Sequence, residues 1–249
     1  MASTSRKSEK HTSFPPLTNP KVSIIIPTYN EKENISKLIP AIEDVFSGNR
    51  IQGELIIVDD NSPDGTADVV RSLQGKYPNL KLIVRGGKLG LSSAVLAGFK
   101  EASGGVFGAM DADFSHPVNK IPDLVSPILA GSADITVGSR YVPGGSIHDW
   151  PFLRRVTSKG AVLLARPLTS VKDPVAGYFF LRKEVIDGVL LSPVGFKILL
   201  EILVRGNYST VKEIPVSFTD REGGKSKLNT KEYIGYLKHC IRLYASMLK

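Results

Sequence analysis

The sequence has little cysteine and no long apolar run. Cys240 is the single cysteine among 249 residues, so an internal disulfide is excluded and nothing indicates an oxidising compartment. No stretch approaches the ~18 apolar residues that a membrane-spanning helix requires, and residues 1–20 lack the apolar core of a secretory signal. We therefore expect Cys240 to be packed in a helix, and the chain not to cross a bilayer by itself.

Two common nucleotide-binding motifs are also absent from the sequence. The first predicted strand, residues 22–26, is stopped by Pro27 and no G-x-G-x-x-G follows it, which disfavours a dinucleotide-binding fold. No G-x-x-x-x-G-K-[ST] pattern occurs either, which disfavours a phosphate-loop ATPase. Both of these nucleotide-binding classes are therefore set aside.

Acidic residues are fewer than basic ones. The chain has 32 Lys and Arg against 24 Asp and Glu, a net charge of +8. A basic surface suits nucleic acid, anionic lipid headgroups or phosphorylated substrates. Nucleic-acid binding would require basic residues interleaved with aromatic residues on one face, and no such pattern is visible. We therefore predict no nucleic-acid partner.

Segments with strand and helix character alternate along most of the chain. The predicted strands are residues 22–26, 55–58, 80–84, 106–110 and 135–138, and the predicted helices are residues 31–46, 66–73, 91–102 and 121–129. After residue 140 the pattern is less regular, with a helical segment at 152–164, a strand from 179, a helix at 195–204, a strand at 211–218 and a basic helix at 231–248. The alternation predicts an α/β fold with a mostly parallel sheet covered by helices on both faces.

Polar side chains follow three of the predicted strands. The polar clusters are residues 27–31, 59–62 and 111–113. In an open, mostly parallel sheet, ligands bind outside the carboxyl ends of the strands. The three clusters are therefore expected to converge on one site.

The third cluster, Asp111-Ala112-Asp113, is the most informative of the three. Its two carboxylates end an apolar run, where burying them unpaired would be costly. A divalent cation held together with a phosphate removes that cost, because Mg²⁺ takes one or two carboxylates and substrate phosphates as ligands. We therefore predict a metal and diphosphate site at Asp111 and Asp113.

Seven colinear motifs carry a resemblance to a known family. They lie at residues 26–31, 58–66, 88–91, 110–117, 138–141, 177–184 and 220–228. Together they resemble the inverting family 2 glycosyltransferases of the GT-A fold, and within them the polyprenol-phosphate (dolichol-phosphate) mannosyltransferases. The resemblance extends over residues 21–245. It implies a nucleotide-diphospho-sugar transferase fold with a mostly parallel central sheet.

The resemblance implies transfer of mannose from GDP-mannose to the phosphate of a polyprenol (dolichyl phosphate), with Mg²⁺ or Mn²⁺ as cofactor. The acceptor is a phosphate monoester with a second pKa near ~6, so it is largely a dianion at neutral pH and already a nucleophile. Positioning and electrostatics are then the main tasks of the enzyme. Two alternatives stay open: a UDP-glucose or UDP-N-acetylhexosamine enzyme, and a catalytically inactive subunit that binds a nucleotide sugar.

The resemblance also assigns site residues. The donor-binding residues that it implies are Pro27, Tyr29, Glu31, Val58, Asp59, Asp60, Lys88, Asp111, Ala112, Asp113, Arg221 and Lys227. Asp59 or Asp60 is expected to accept an N–H of the base, and the segment of Arg221 and Lys227 is expected to fold over the donor diphosphate. Asp111, Asp113 and Arg140 are the predicted catalytic residues.

The acceptor phosphate is expected at Arg140, Arg154 and Ser158, the last two sharing a face if their segment is helical. The metal is expected at Asp111 and Asp113. Ser115 stands where many metal-using relatives have Gln, so the third ligand is left open between water and His116, for which a structural role is favoured.

The long apolar acceptor implies a membrane surface as a partner. Residues 1–20 are predicted to be a disordered tail, residues 21–229 the catalytic domain, and residues 230–249 an amphipathic helix packed on the domain or at the membrane. An apolar stripe through Ile234, Leu237 and Ile241 supports this helix. Membrane-anchoring subunits or transmembrane segments beyond the C-terminus are expected partners. The expected location is the cytoplasmic face of the endoplasmic reticulum in a eukaryote, or of the plasma membrane in a prokaryote.

Overall fold

The fold is taken from a computed structural model, which describes residues 14–148, 150–192, 195, 197–219 and 230–247. The strands are β1 (Val22–Thr28), β2 (Gly53–Asp59), β3 (Leu80–Val84), β4 (Val106–Ala109), β5 (Ile135–Ser139), β6 (Ser146–Ile147), β7 (Phe179–Arg182), β8 (Val211–Pro215) and β9 (Ser217–Phe218). The α-helices are α1 (Lys32–Gly48), α2 (Thr66–Gln74), α3 (Leu91–Glu101), α4 (Ile121–Leu129), α5 (Phe152–Ala165), α6 (Ile198–Arg205) and α7 (Thr230–Met247). Short 3₁₀-helices follow at Val118–Lys120 and Lys183–Val185.

Seven strands form the central sheet, in the order β3-β2-β1-β4-β7-β5-β8. β1 pairs in parallel with β2 and β4, and β5 pairs in parallel with β8. β7 is antiparallel to both of its neighbours, β4 and β5. The prediction of an α/β fold with a mostly parallel sheet is confirmed, with one antiparallel strand inserted near its centre.

Both faces of the sheet are buried, which explains the continuous apolar runs of its strands. Ile24 and Ile26 of β1 point into a core shared with α1, α2 and α4. Ile25, between them, points into a second core shared with α3 and α6. All three isoleucines are fully buried. Because adjacent side chains of a strand point to opposite faces, one run of isoleucines supplies both cores.

The region after β5 differs from the expectation for residues 211–218. The single predicted strand is broken at Val216 into β8 and β9, and Pro215 at the break cannot donate to a sheet. Val216 instead donates from its backbone N–H to the carbonyl of Ser139 at 3.1 Å. β9 then leaves the central sheet and pairs in parallel with β6, a strand too short for the sequence pattern to reveal.

The described part of the predicted tail contacts the domain. The guanidinium of Arg182 donates to the carbonyl of Pro15 at 2.5 Å and lies 5.2 Å from the ring centroid of Phe14. Asn19 donates from its side-chain amide to the carbonyl of Ser103 at 2.9 Å. The boundaries at residues 20 and 229 stay predictions.

Helix α7 is apolar on two sides. Tyr236, Cys240 and Leu243 pack into a third core against α5 and α6, and Cys240 is buried in a helix, as expected. The predicted stripe lies elsewhere on the helix, because Ile234 and Ile241 are at least half exposed. Among the helices described by the structure, none is long and apolar enough to span a bilayer.

Candidate active site

A cavity of about 560 Å³ opens at the carboxyl ends of the central strands. The residues of all three polar clusters line it, as the sequence predicts: Pro27, Tyr29 and Glu31 after β1, Asp60 after β2, and Asp111 to Asp113 after β4. Arg140, Arg154, Ser158 and Lys88 line the same cavity. The strand ends and helix α5 therefore bring the predicted donor and acceptor residues to one cavity.

Two predicted donor residues lie behind this cavity rather than on its surface. Val58 is fully buried in the core that contains α3 and α6. Asp59 is also fully buried, and its carboxylate accepts hydrogen bonds from the Thr28 hydroxyl at 2.8 Å and the Ser62 hydroxyl at 2.6 Å. Asp59 thus holds the first two loops together, and Asp60 is the member of the pair that reaches the cavity.

Asp60 also organises the neighbouring loop. Its carboxylate accepts from the Arg85 Nε at 2.5 Å and from the backbone N–H groups of Leu89 and Gly90 at 3.0 and 3.2 Å. Arg85 is also the ion-pair partner of Asp60. The same loop carries Lys88, whose Nζ lies 4.4 Å from the centroid of the Tyr29 ring. Asp60 therefore places Lys88 against Tyr29.

His116 lies beside the acidic pair, Asp111 and Asp113, and has a structural role. Its Nδ1 accepts the backbone N–H of Asp111 at 3.1 Å, and its ring stacks on Tyr178 with centroids 4.9 Å apart. Burial lowers the pKa of His116 below its usual value, although the charge of Asp111 opposes this, so the ring is neutral at pH 7. With Nδ1 as acceptor, the ring proton is on Nε2, 3.9 Å from Asp111 Oδ2. Neither ring nitrogen then offers a lone pair to a metal.

Ser115 offers a buried hydroxyl beside the acidic pair. Its side chain is 2% exposed, and its Oγ has no hydrogen-bond partner within the described part of the chain. Its backbone N–H donates to Asp113 Oδ1 at 3.2 Å. The described residues contain no group of three His, Cys, Asp or Glu side chains arranged for a metal. Two carboxylates are thus the acidic ligands that this region can supply.

The backbone is strained after each of the three strands. Asn30, Asn61 and Phe114 follow β1, β2 and β4, and all three have φ between 56° and 57°. Asn tolerates this left-handed region, whereas a bulky residue such as Phe rarely adopts it. Such strain is characteristic of functional loops. At Phe114 it turns the chain directly after Asp113.

Arg140 is held by a buried carboxylate. Its Nε and Nη2 each donate to Asp173 at 2.7 Å, and its backbone N–H donates to the same carboxylate at 3.0 Å. The Trp150 and Phe218 rings lie 5.3 and 5.5 Å from its Cζ. Although burial opposes it, the carboxylate of Asp173 raises the pKa of Arg140 above its usual value. Arg140 therefore remains a fixed cation at the cavity.

Arg154 and Ser158 line the cavity from one face of α5, in agreement with their four-residue spacing. The guanidinium of Arg154 lies 4.3 Å from the centroid of the Trp150 ring, a cation–π arrangement. The hydroxyl of Ser158 is 2.8 Å from that of Tyr141. One helix thus presents a cation and a hydroxyl to the same space.

The sequence analysis missed two residues that line the cavity with Arg140 and Arg154, namely Trp150 and Lys197. Trp150 is the single tryptophan of the chain, and its ring contacts both Arg140 and Arg154. A lone tryptophan beside Arg154 and Arg155 was a usable signal. Lys197 lines the cavity just before α6, and nothing in its local sequence distinguishes it from a surface lysine.

Some predicted residues fall outside the site as described. Arg221 and Lys227, predicted to close over the donor, lie outside the described residues. Glu201, an acid on the otherwise apolar helix α6, is fully buried away from the cavity. Its carboxylate lies 3.3 Å from Arg205 and 3.4 Å from Arg242, so it is an arginine partner.

Comparison with known proteins gives the same family as the sequence motifs. The family model described as Glycosyl transferase family 2 matches residues 23–190. That match includes β4 and the loop that carries Asp111 and Asp113. The chain belongs to glycosyl transferase family 2. The family predicted from the motifs is therefore confirmed.

Relatives within this glycosyltransferase family place the chain in one group. The dolichol-phosphate mannosyltransferase of Pyrococcus furiosus is 51% identical over 90% of this chain and 63% of its own length. Those of Mycosarcoma maydis and Saccharomyces cerevisiae are 41% and 40% identical, over 91% and 89% of this chain and 80% and 86% of their own lengths. The chain thus spans less than two thirds of the Pyrococcus furiosus relative. The predicted likeness to the polyprenol-phosphate mannosyltransferases is confirmed.

Solved structures confirm the GT-A fold predicted for this chain. Glucosyl-3-phosphoglycerate synthase of Mycobacterium tuberculosis superposes with a TM-score of 0.62 at 19% identity, over 91% of this chain and 80% of that chain. Its complex with Mn²⁺, uridine diphosphate and glucosyl-3-phosphoglycerate gives a TM-score of 0.64, also at 19% identity, over 91% and 79% of the two chains. At this identity the likeness shows the fold alone.

Proposed function

We propose that this glycosyltransferase transfers mannose from GDP-mannose to the phosphate of a polyprenol such as dolichyl phosphate, with inversion at the sugar C1. The observation that carries the proposal is that one cavity contains both the acidic pair and the cationic wall of Arg140, Arg154 and Ser158. Identity of 40–51% to dolichol-phosphate mannosyltransferases supports the choice of substrates.

The acceptor phosphate is the nucleophile in the proposed reaction. One of its oxygens forms the new bond to the mannose C1 while the bond from C1 to the diphosphate oxygen breaks, and the bonding electrons leave with GDP. A phosphate monoester is mostly a dianion at neutral pH, so this attack requires no strong general base. Arg154 and Ser158 would hold and orient the phosphate by charge-assisted hydrogen bonds, while Arg140 is fixed beside them by Asp173.

We propose that Asp111 and Asp113 hold a divalent cation, Mg²⁺ or Mn²⁺, together with the donor diphosphate. The donor set fits a hard cation, which accepts one or two carboxylates and completes its shell with phosphate oxygens and water. When bound, such a cation stabilises the charge of the leaving diphosphate as a Lewis acid. The buried hydroxyl of Ser115, which has no hydrogen-bond partner among the described residues, is a further polar group beside the two acids.

Pro27, Tyr29, Glu31 and Asp60 are proposed to bind the nucleoside. Glu31 immediately precedes α1, and its carboxylate lines the cavity. This carboxylate accepts a hydrogen bond from the Asn34 side-chain amide at 2.8 Å, which helps to orient it. Tyr29 offers a ring face that Lys88 covers in this structure. Arg221 and Lys227 are proposed to reach the diphosphate from their segment.

A membrane surface is the proposed partner of α5 and α7. Leu163 and Leu164 of α5 are 71% and 44% exposed, and Ile234, Leu237 and Ile241 of α7 are 50%, 46% and 58% exposed. The two helices pack side by side, since the Tyr244 hydroxyl donates to the Leu164 carbonyl at 2.8 Å. The same two helices carry the exposed basic residues Arg155, Lys159 and Lys238. Exposed apolar residues together with basic residues are the composition of an interfacial helix. Because α5 also carries Arg154 and Ser158, the lipid would lie beside the acceptor subsite.

A transfer assay tests the proposal. The protein is incubated with labelled GDP-mannose, polyprenyl phosphate and Mg²⁺ or Mn²⁺, and the label is then extracted into organic solvent. We expect label in the organic phase only when both the cation and the phosphorylated polyprenol are present. Label that stays aqueous with GDP-mannose, while UDP-glucose or UDP-N-acetylhexosamine transfers its sugar, would replace mannose by another donor. Donor binding without transfer from any nucleotide sugar would indicate an inactive subunit.

A further inference from the structure

Lys197 is a cation of the cavity that the proposed mechanism does not use. It immediately precedes α6, and its side chain lines the cavity together with Arg154, Ser158 and Val175. Its Nζ donates to the carbonyl of Val175 at 3.0 Å. A lysine in this position is tethered at the cavity wall rather than extended into solvent.

The tether places Lys197 on the acceptor side. Val175 belongs to the small core that joins Val162 and Ala165 of α5 to Leu200 of α6. Helix α5, which contributes Val162 and Ala165 to this core, also carries Arg154 and Ser158. The ammonium of Lys197 is therefore anchored beside the helix that is proposed to hold the acceptor phosphate.

Charge matching supports a role in binding a dianion. The positive charge of Arg140 is matched by Asp173 through two hydrogen bonds of 2.7 Å. Arg154 and Lys197 are two further basic residues of the same wall. A phosphate monoester carries close to two negative charges at neutral pH. A wall with three basic side chains suits such an anion.

Burial makes the ammonium sensitive to an incoming anion. Burial beside Arg140 lowers the pKa of Lys197 to about 7, because the charged form is poorly solvated there and is repelled by a neighbouring cation. Asp173 and Asp111 oppose this shift, and Arg154 adds to it. A bound phosphate would restore the charged form by supplying an opposite charge.

We propose that Lys197 is a phosphate-binding residue of the acceptor subsite, which donates from Nζ to a non-bridging oxygen of the polyprenyl phosphate. This inference rests on the proposed function. Arg154 and Ser158 hold the phosphate from α5, and Lys197 holds it from the start of α6. Three side chains from two elements then fix the phosphate in position for attack.

Kinetics with each substrate varied separately test the assignment. Lys197→Met removes the charge, Lys197→Gln retains a donor for the Val175 carbonyl, and Lys197→Arg retains the cation. We expect the first two to raise the KM for polyprenyl phosphate by about 10- to 100-fold, the usual effect of losing a hydrogen bond to a charged group. The KM for GDP-mannose should change less than about 2-fold, and Lys197→Arg should recover part of the loss.

Lys100→Met is the matched control, since Lys100 is an exposed lysine of α3 outside the cavity. Thermal unfolding of each variant identifies any that fails to fold. An unchanged acceptor KM in folded Lys197→Gln would overturn the assignment. A raised KM for GDP-mannose with an unchanged acceptor KM would also overturn it, because Lys197 would then contact the donor diphosphate.

A binding measurement separates this inference from the proposed function. Vesicles that contain either polyprenyl phosphate or unphosphorylated polyprenol are titrated with wild type and with Lys197→Gln. We expect the phosphate-dependent part of binding to fall in the variant, while binding to the polyprenol vesicles stays equal. If wild type transfers no mannose, the proposed function fails, yet this titration still decides whether Lys197 binds the phosphate. Equal phosphate-dependent binding by both proteins would overturn the inference.

Discussion

At the scale of single residues, the acidic pair and the cationic wall have different kinds of neighbours. Arg140 is paired twice with Asp173 inside the protein, whereas Asp111 and Asp113 are the acids proposed to share a cation with the donor. A buried pair with good geometry is costly to break because the remaining charge is left unmatched. We therefore expect substitution of Asp173 to affect folding, and substitution of Asp111 or Asp113 to affect binding of the cation and the donor.

Asp113→Asn should abolish turnover while leaving the protein folded, because a neutral amide is a poor ligand for Mg²⁺ or Mn²⁺. The direct measurement is Mn²⁺ binding in the presence of GDP, by calorimetry, for wild type and variant. We expect binding to weaken by at least about 10-fold, the scale of one lost charge-assisted interaction. Full activity of wild type with an excess of chelator would contradict the role of the metal.

Asp173→Asn should destabilise the protein by about 3 kcal/mol, because it leaves the buried guanidinium of Arg140 without its carboxylate. Denaturant unfolding measures the change. Asp123→Asn is the matched control, since Asp123 pairs with Lys120 at 2.7 Å but is 52% exposed. That exposed pair should contribute less than about 1 kcal/mol. Equal losses in the two variants would show that Asp173 is not a structural anchor.

At the scale of secondary-structure elements, close packing and exposed faces decide what each helix does. Gly98 of α3 faces β1 so closely that an added Cβ would lie 2.5 Å from Ile25 Cγ2. At Gly160 of α5 the added Cβ would meet no described atom within 4 Å outside its own stretch of helix. A side chain at Gly98 would therefore clash with β1, whereas a side chain at Gly160 would have room.

Gly98→Ala should therefore destabilise the protein by about 1–3 kcal/mol, the usual cost of overpacking a core. Gly160→Ala should stabilise it by up to about 1 kcal/mol, because alanine has the higher helix propensity. Urea unfolding of both variants measures the difference. If Gly98→Ala proved as stable as Gly160→Ala, α3 would not be packed against β1 as closely as described.

The exposed apolar face of α5 and α7 should bind lipid. The double variant Leu163→Ser, Ile241→Ser should bind vesicles with anionic headgroups at least about 10-fold more weakly, since each buried leucine or isoleucine contributes about 1.5–3 kcal/mol. Leu129→Ser, at an exposed leucine of α4 that is not part of this surface, is the control. Cosedimentation with vesicles gives the measurement. Vesicle binding that is lost equally in the control would remove α5 and α7 as the membrane surface.

The helix faces also show where sequence reasoning stops. The spacing of Ile234, Leu237 and Ile241 correctly indicated an apolar stripe, but the stripe is exposed. The side that packs on the domain contains Tyr236, Cys240 and Leu243. Apolar periodicity marks a buried or membrane-facing side equally, so only the positions of α5 and α6 distinguish the two.

At the scale of the whole molecule, two buried titratable groups, Glu54 and His239, make the stability of the fold depend on pH. Although burial alone would raise it, hydrogen bonds from Ser23 and Ser103 and from two lysines lower the pKa of Glu54 to about 2. Burial lowers the pKa of His239 to about 4, with repulsion from Arg242 and Arg205. Glu54 ties β1 and β2 to the start of β4, and His239 lies between α6 and α7.

Both shifts predict loss of stability in acid. Between about pH 6.5 and 4 the unfolded chain protonates His239 and the folded chain does not, and between about pH 4.5 and 2 the same holds for Glu54. The free energy of unfolding should thus be greatest above pH 6.5 and fall as pH decreases, by about 3 kcal/mol at most for each group. Urea unfolding between pH 7 and 3 measures it. His239→Gln should flatten the upper part of this dependence, and an unaltered slope would contradict the role of His239.

The sequence by itself determined the alternation of strands and helices, the family, and the carboxyl-end clusters around Asp60, Asp111 and Asp113. These features are local, because strand periodicity and the position of a polar cluster at a strand end can be read from neighbouring residues. Only the tertiary structure decided that β7 runs antiparallel, that Asp173 holds Arg140, and that Lys197 joins Arg154 at one wall. Each of those relations joins residues distant in the chain, and such distances are settled by how the helices and strands pack rather than by any local pattern.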